Sequence, residues 1–217
     1  MKRAIVVSAT LTAGLLVSGA LLVSRTQVSP HDIERSVSRQ PELVGRAWQL
    51  PVAATFERKI NWQSNGSRCG PAAVANAYRS LKDKAATERD VLAGTGWCWT
   101  GVCIMGLTLD ELAAVATANS NRKVKILRDL TEEEFREHMR RSNDADHRYI
   151  INFDRAKIFG SGVGHHSPIG GYLEAEDLVF VLDVNSDYQP WLVERSRLFT
   201  AMDTFDGSKR RGLLLIE

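Results

Sequence analysis

The order of patterns along this chain predicts an α+β fold in which an N-terminal helical part packs against an antiparallel β-sheet. Three observations carry the prediction. Apolar residues recur at spacings of three and four through most of the stretch from Gly66 to Ser142. Strand-like runs dominate from Arg148 onward, and short polar turns join those runs.

The first element stands apart from the fold. Lys2 and Arg3 precede an apolar run from Ala4 to Val23, broken by small residues such as Ser8, Thr10 and Gly14, and this reads as an export signal. Ser18-Gly19-Ala20 offers a small-x-small cleavage site, but the run is also long enough to span a bilayer. Residues 1–23 are therefore read as either a signal peptide or a membrane anchor. In both cases the positive end stays in the cytoplasm and the remainder crosses the membrane. The expected location is the periplasm of a Gram-negative bacterium, with membrane contact only through residues 4–23. Residues 24–45 read as a polar connector, and 46–217 as one folded domain.

In "GSRCGPAAVANAYRSL", Pro71 suits the first turn of a helix, where its missing N–H is not needed. Val74, Ala77, Tyr78 and Leu81 follow as an apolar stripe. "GLTLDELAAVATANS" carries a capping box, Thr108 with Glu111, beside an apolar face of Leu109, Leu112, Ala113 and Ala116. Lys123 to Leu127 alternates as a short strand, and Thr131 with Glu134 caps a helix in "LTEEEFREHMRRS". "RYIINFDR", Arg148 to Arg155, reads as a strand, followed by the Gly-rich loop "FGSGVGHH". "SPIGGYLEAEDLVFVLDV" reads as two strands around a turn at Glu174 to Asp177, "RSRLFTAMDT" as a short helix and "RGLLLIE" as a closing strand. A net charge of +2 without blocks of like charge gives little support to nucleic acid as a partner, and none is expected.

Candidate chemistry begins at Cys69. At a helix mouth it lies among unpaired N–H groups and the positive end of the macrodipole, a setting that favours the thiolate. The plainer alternative is a small buried residue that only packs. A thiolate nucleophile needs a base, and the base needs an orienting group. Of the five histidines, His31 lies in the connector, His138 on a charged helix and His147 in a polar loop, whereas His165 and His166 open the strand after the Gly-rich loop. Antiparallel pairing places Asp183, late in the second strand, beside the start of the first, where a carboxylate ending an apolar run needs a partner. Consecutive strand residues point to opposite faces, so only one of the two histidines is expected to face Cys69. The Cys69 N–H and the Gln63 side-chain amide are candidate donors to an oxyanion. Asp183→Asn is expected to slow turnover with little change in fold stability. Cys98 and Cys103 are close enough to pair in an oxidising compartment, which would leave Cys69 as the odd thiol. A disulfide, two soft metal ligands and two ordinary thiols all remain open for them.

The chain order Gln63, Cys69, His165, Asp183 resembles the papain-like cysteine peptidase clan. More narrowly, "RCGPAAVANAYRSL" and "GHHSPIGGYLEAEDLVFVLDV" resemble the phytochelatin synthase family, with His165 and not His166 at the position of the family's catalytic histidine. "GLTLDELA" and "YQPWLVERSRLFTAMDT" are similar to further parts of its catalytic domain. The resemblance implies a papain-like fold over 46–217 and a glutathione γ-glutamylcysteinyltransferase, favouring hydrolysis as short bacterial members do. Cys69 would be the nucleophile, His165 the base, Asp183 its orienter and Gln63 the oxyanion donor. It implies no tightly bound cofactor, with heavy-metal ions such as Cd²⁺ or Zn²⁺ acting mainly through the thiolate of glutathione. The competing expectations are a bacteriocin-processing type of cysteine peptidase, and a thiol- or metal-binding module without turnover.

Overall fold

The computed structural model describes residues 27–83, 87–96 and 106–217. The expected export segment, and Cys98 with Cys103, lie outside the described residues. The segment expected to be a connector carries two helices, α1 (Pro30–Ser36) and α2 (Pro41–Ala47), each with proline in its first turn. Ser29 caps α1 by accepting from the Asp32 N–H, Ile33 is buried, and Ser38 bridges to Leu192 in the sheet. The connector is thus part of the packed domain. Its apolar residues are too few to show a helical period, so proline and a cap were the only local signals.

Helix α3 (Cys69–Ser80) is followed by α4 (Glu88–Leu92) and α5 (Leu109–Asn119), the last two opened by capping boxes at Thr87/Asp90 and Thr108/Glu111. Strand β1 (Val124–Leu127) leads to α6 (Glu132–Arg141), capped by Thr131 and Glu134 as expected. Then come β2 (Arg148–Asp154), the one-turn α7 (Arg155–Phe159), β3 (Gly164–Leu173), β4 (Leu178–Val181) and β5 (Trp191–Glu194). Helix α8 (Arg195–Met202), the small hairpin β6 (Phe205–Asp206) and β7 (Lys209–Arg210), and β8 (Leu213–Ile216) complete the chain. Six strands pair antiparallel in the order β1-β8-β2-β3-β4-β5.

Helices cover both faces of this sheet, where the sequence suggested one helical side. Leu214 and Ile216 point into a core shared with α3 and α5, and Leu213 and Leu215 into a second core shared with α6, α7 and α8. A strand buried on both faces reads as an unbroken apolar run, which is why "LLLI" shows no alternation. Burying one such leucine stabilises the fold by about 1.5–3 kcal/mol.

Helix α3 is buried on nearly every side. Ala72, Ala73, Ala75 and Ala77 are fully buried, and such short side chains let the helix backbone approach β3 closely. Its far end is tied to β2 through Arg148, whose guanidinium donates to Ser80 Oγ at 2.6 Å and Thr55 Oγ1 at 2.7 Å. One end of the helix is thereby anchored, and the other presents Cys69 over the start of β3.

Candidate active site

The helix starts at Cys69 itself with Pro71 in its first turn, so the cysteine occupies the first helical position. Its side chain is 4% exposed and lies against the opening residues of β3. At Gly164, the first residue of β3, the Arg211 guanidinium packs directly over the backbone, and a Cβ there would push it away.

His165 and Asp183 meet as the antiparallel pairing predicts. His165 pairs with Phe153 across β2–β3, and its Nε2 lies 3.0 Å from Asp183 Oδ1. Asp183 stands just past the end of β4, held because Leu182 N–H donates to Pro168 O at 2.9 Å. The carboxylate is fully buried and richly satisfied. Arg155 Nη2 donates to both oxygens at 2.7 and 2.8 Å, the Asn185 N–H at 2.9 Å and Trp191 Nε1 at 3.2 Å. Arg155 in turn lies 3.6 Å over the Tyr188 ring. Arg155 and Trp191 escaped the sequence reading. An arginine after a strand and a tryptophan in an apolar run carry no local sign that they converge on one carboxylate.

His166 is nearer the sulfur than strand alternation allowed. Its Nδ1 is 3.8 Å from Cys69 Sγ, and His165 lies near enough for its charge to act on the thiol. The register itself is regular, with His166 opposite Asn152, yet both rings are long enough to reach a sulfur placed at the strand's beginning. Both imidazoles therefore flank Cys69.

Gln63 is pinned to the same region, since its N–H donates to Val184 O at 2.8 Å, next to Asp183. Its side-chain Nε2 donates to Asn65 O at 2.9 Å, and Oε1 is buried without a hydrogen-bond partner. An amide nitrogen has two donors, so one is engaged by Asn65 and the other is left for a further acceptor. His31 lies on α1, while His138 contacts Tyr149 Oη at 3.1 Å and His147 pairs with Asp144, all away from Cys69.

The charges of the cluster are arranged to ionise the thiol. Burial alone pushes Cys69 up, but the charge and hydrogen bond of His165, then those of His166, bring it well below its usual value. Burial and Arg155 push His165 down, and Asp183 with Cys69 outweigh them, so its net shift is upward. Asp183 is held far below the usual carboxylate range: burial opposes this, and Arg155 and His165 overcome it. The thiolate exists above the lowered Cys69 value and the imidazolium below the raised His165 value, so the two charged forms coexist between them. We expect iodoacetamide to alkylate Cys69, followed by peptide mapping, at a pH where free cysteine is mostly protonated. A rate profile overlying that of free cysteine would contradict the ion pair.

Beside Cys69 opens a cleft of about 540 Å³, lined by His166, Asn152, Val163, Asp206 and Arg211 among others. Arg211 Nη1 donates to Asn152 Oδ1 at 2.8 Å and lies 3.4 Å from Asp206 Oδ2, while Asn152 Nδ2 donates to Asp206 Oδ2 at 3.0 Å. A cation and an anion thus share one wall of the cleft. Among the described residues, no group of three or more His, Cys, Asp or Glu side chains is placed to hold a metal ion.

A cysteine at a buried helix mouth, with histidine and aspartate delivered by an antiparallel sheet, has the architecture of the papain-like cysteine peptidases. The peptidase domain of Streptococcus ComA, a bi-functional ABC transporter involved in quorum sensing, shares this fold. It matches with a TM-score of 0.50 over 73% of this chain and 96% of that one, at 14% identity, a likeness that carries the fold alone. The phytochelatin synthase family model matches residues 23–213, and the chain belongs to that family. Glutathione gamma-glutamylcysteinyltransferase 2 of Arabidopsis thaliana is 33% identical over 213 residues, covering 88% of this chain and 46% of its own length. Glutathione gamma-glutamylcysteinyltransferase 1 of Triticum aestivum is 32% identical over 217 residues, covering 91% and 43%. The chain spans less than half the length of these relatives.

Proposed function

We propose that this chain cleaves glutathione at the bond between cysteine and glycine and passes on the γ-glutamylcysteinyl group. The observation that carries this reading is the Cys69–His165–Asp183 cluster opening on a cleft whose wall pairs Arg211 with Asp206. The γ-glutamyl end of glutathione bears an α-carboxylate and an α-ammonium side by side, and Arg211 and Asp206 complement the two charges.

Cys69 thiolate attacks the cysteinyl carbonyl, and the Cys69 N–H with the remaining Gln63 amide donor receives the oxyanion. His165, held in one tautomer by Asp183, protonates the departing glycine amine and leaves a γ-glutamylcysteinyl thioester. Water converts the thioester to γ-glutamylcysteine, and a second glutathione converts it to a phytochelatin, with hydrolysis favoured. Heavy-metal ions such as Cd²⁺ or Zn²⁺ enter as complexes of the substrate thiolate, which links the reaction to metal detoxification. Delivery to the periplasm through residues 1–23 completes the reading.

Mass spectrometry of the products formed by purified protein from glutathione, with and without Cd²⁺, tests it. Glycine and γ-glutamylcysteine are expected in both samples, with a larger share of phytochelatin when Cd²⁺ is present. Intact glutathione after prolonged incubation would end the proposal.

A further inference from the structure

The leash between the apolar run and the folded domain is shorter than its composition suggests. Read as a polar connector, residues 24–45 could extend over about 75 Å. In the fold the chain is already packed at Val28, which lies against the second core, and Ser29 caps α1. Gln27 O accepts from Ser161 Oγ at 3.3 Å, and Val28 crowds the place a Cβ would take on Gly162. Residues 24–26 alone then separate the apolar run, ending at Val23, from a fixed point on the loop between α7 and β3. Three residues reach at most about 14 Å, less than the radius of a domain roughly 40 Å across.

That fixed point lies at the catalytic end of the sheet. Val163 follows at once and lines the cleft, and Gly164 opens β3 just ahead of His165. The large apolar side chains left exposed among the described residues are Trp62 (37%), Val163 (55%) and Phe205 (62%). Apolar residues exposed singly are ordinary on a protein surface. These three share one neighbourhood, since Trp62 precedes Gln63, Val163 lines the cleft and Phe205 precedes Asp206 of its wall. Phe205 sits on the β6–β7 hairpin opposite Arg210, whose guanidinium lies 5.0 Å from its ring centroid. An aromatic ring beside a long cationic side chain suits the zone where acyl chains meet headgroups.

We propose, resting on the reading of residues 4–23 as a membrane segment, that this segment stays uncleaved and that the face bearing the cleft docks on the bilayer, with Val163 and Phe205 in the interfacial layer. The partner is a lipid surface, and the leash selects it. A cleaved signal would leave the domain free to tumble. A leash shorter than the domain's radius, rooted at the rim of the cleft, turns that rim toward the membrane and the opposite end of β2 away from it. The cleft therefore works at the membrane surface and not in the bulk of the compartment.

Photo-crosslinking of the full-length chain tests this. Val163, Phe205 and Asp146 are replaced one at a time by p-benzoylphenylalanine, in protein made in a Gram-negative host and held in nanodiscs of phosphatidylethanolamine and phosphatidylglycerol. Asp146 is exposed and precedes β2, whose other end, Asp154, pairs with Gly164, so it reports on the far side. Positions 163 and 205 are expected to give lipid adducts at least about tenfold above position 146 on intact-protein mass spectra, in variants that keep the wild-type cooperative melt. Equal adducts at the three positions, adducts joining position 163 to residues 4–23, or a mature chain lacking residues 1–20 overturns the proposal. Full-length protein recovered from the soluble cytoplasmic fraction removes the export reading, and this inference falls with it. The readout is independent of glutathione cleavage, so failure of the catalytic reading leaves the docking result standing.

Discussion

Replacing Cys69 with alanine or serine is expected to abolish glycine release from glutathione, while Cys98→Ser keeps measurable activity. The expectation rests on where the sulfur sits. Cys69 occupies the first position of α3, 4% exposed, with two imidazoles against it that together depress its pKa despite burial. Alanine removes the nucleophile. Serine keeps the size, but a hydroxyl is far harder to ionise than a thiol, so the flanking imidazoles that suffice for sulfur do not activate oxygen equally. Because the cleft, the helix mouth and β3 stay intact, both variants should fold and bind substrate, so the loss should appear in turnover and not in melting temperature. Amino-acid analysis of released glycine checks the result. Release by Cys69→Ala at the wild-type rate would sink the assignment of the nucleophile.

Asp183→Asn should damage both turnover and stability, and here the structure corrects an expectation drawn from sequence. The sequence reading allowed only a functional loss, on the assumption that Asp183 served His165 alone. In the fold it also accepts two contacts from Arg155, which is 7% exposed. Asparagine can hold the His165 ring in the wrong tautomer and withdraws the charge that favours the imidazolium. Turnover should fall by roughly 10–10³, less than in a serine triad because the thiol is already partly ionised. The same change strands the Arg155 cation, and breaking one side of a buried ion pair costs about 3–5 kcal/mol. For a chain of this size, that corresponds to a Tm drop of roughly 6–20 °C. Adding Arg155→Met removes the stranded charge and should recover much of the Tm without recovering turnover. Normal turnover per folded molecule in Asp183→Asn would make Asp183 a structural residue only.

Much of the architecture was legible because its signals are local. The capping boxes at Thr108 and Thr131 fix helix starts within a few residues, and both helices begin where those boxes place them. The pairing of His165 with Asp183 was legible for a related reason, since a hairpin makes neighbours of residues close in sequence. Other partners come from far along the chain. Arg155, Asn152 and Arg211 meet the site through strand order, and no local period announces which strands will adjoin. Helices α1 and α2 were missed because a single buried Ile33 or Ala47 gives no stripe. The placement of both His165 and His166 against one sulfur was hidden by a rule that holds for the backbone. Alternation describes where a side chain leaves the strand, not how far an imidazole reaches past its end.

Strand β3 has hydrogen-bonded neighbours on both edges, β2 and β4, and helices on both faces. The two histidines therefore ride on the part of the molecule that opens last, since core strands exchange their amide hydrogens only when the whole domain unfolds. Their spacing to Cys69 is set by rigid elements and not by a loop that must close. Heating should consequently inactivate such a centre in step with cooperative melting, with no earlier phase in which the fold persists and the histidines have drifted away.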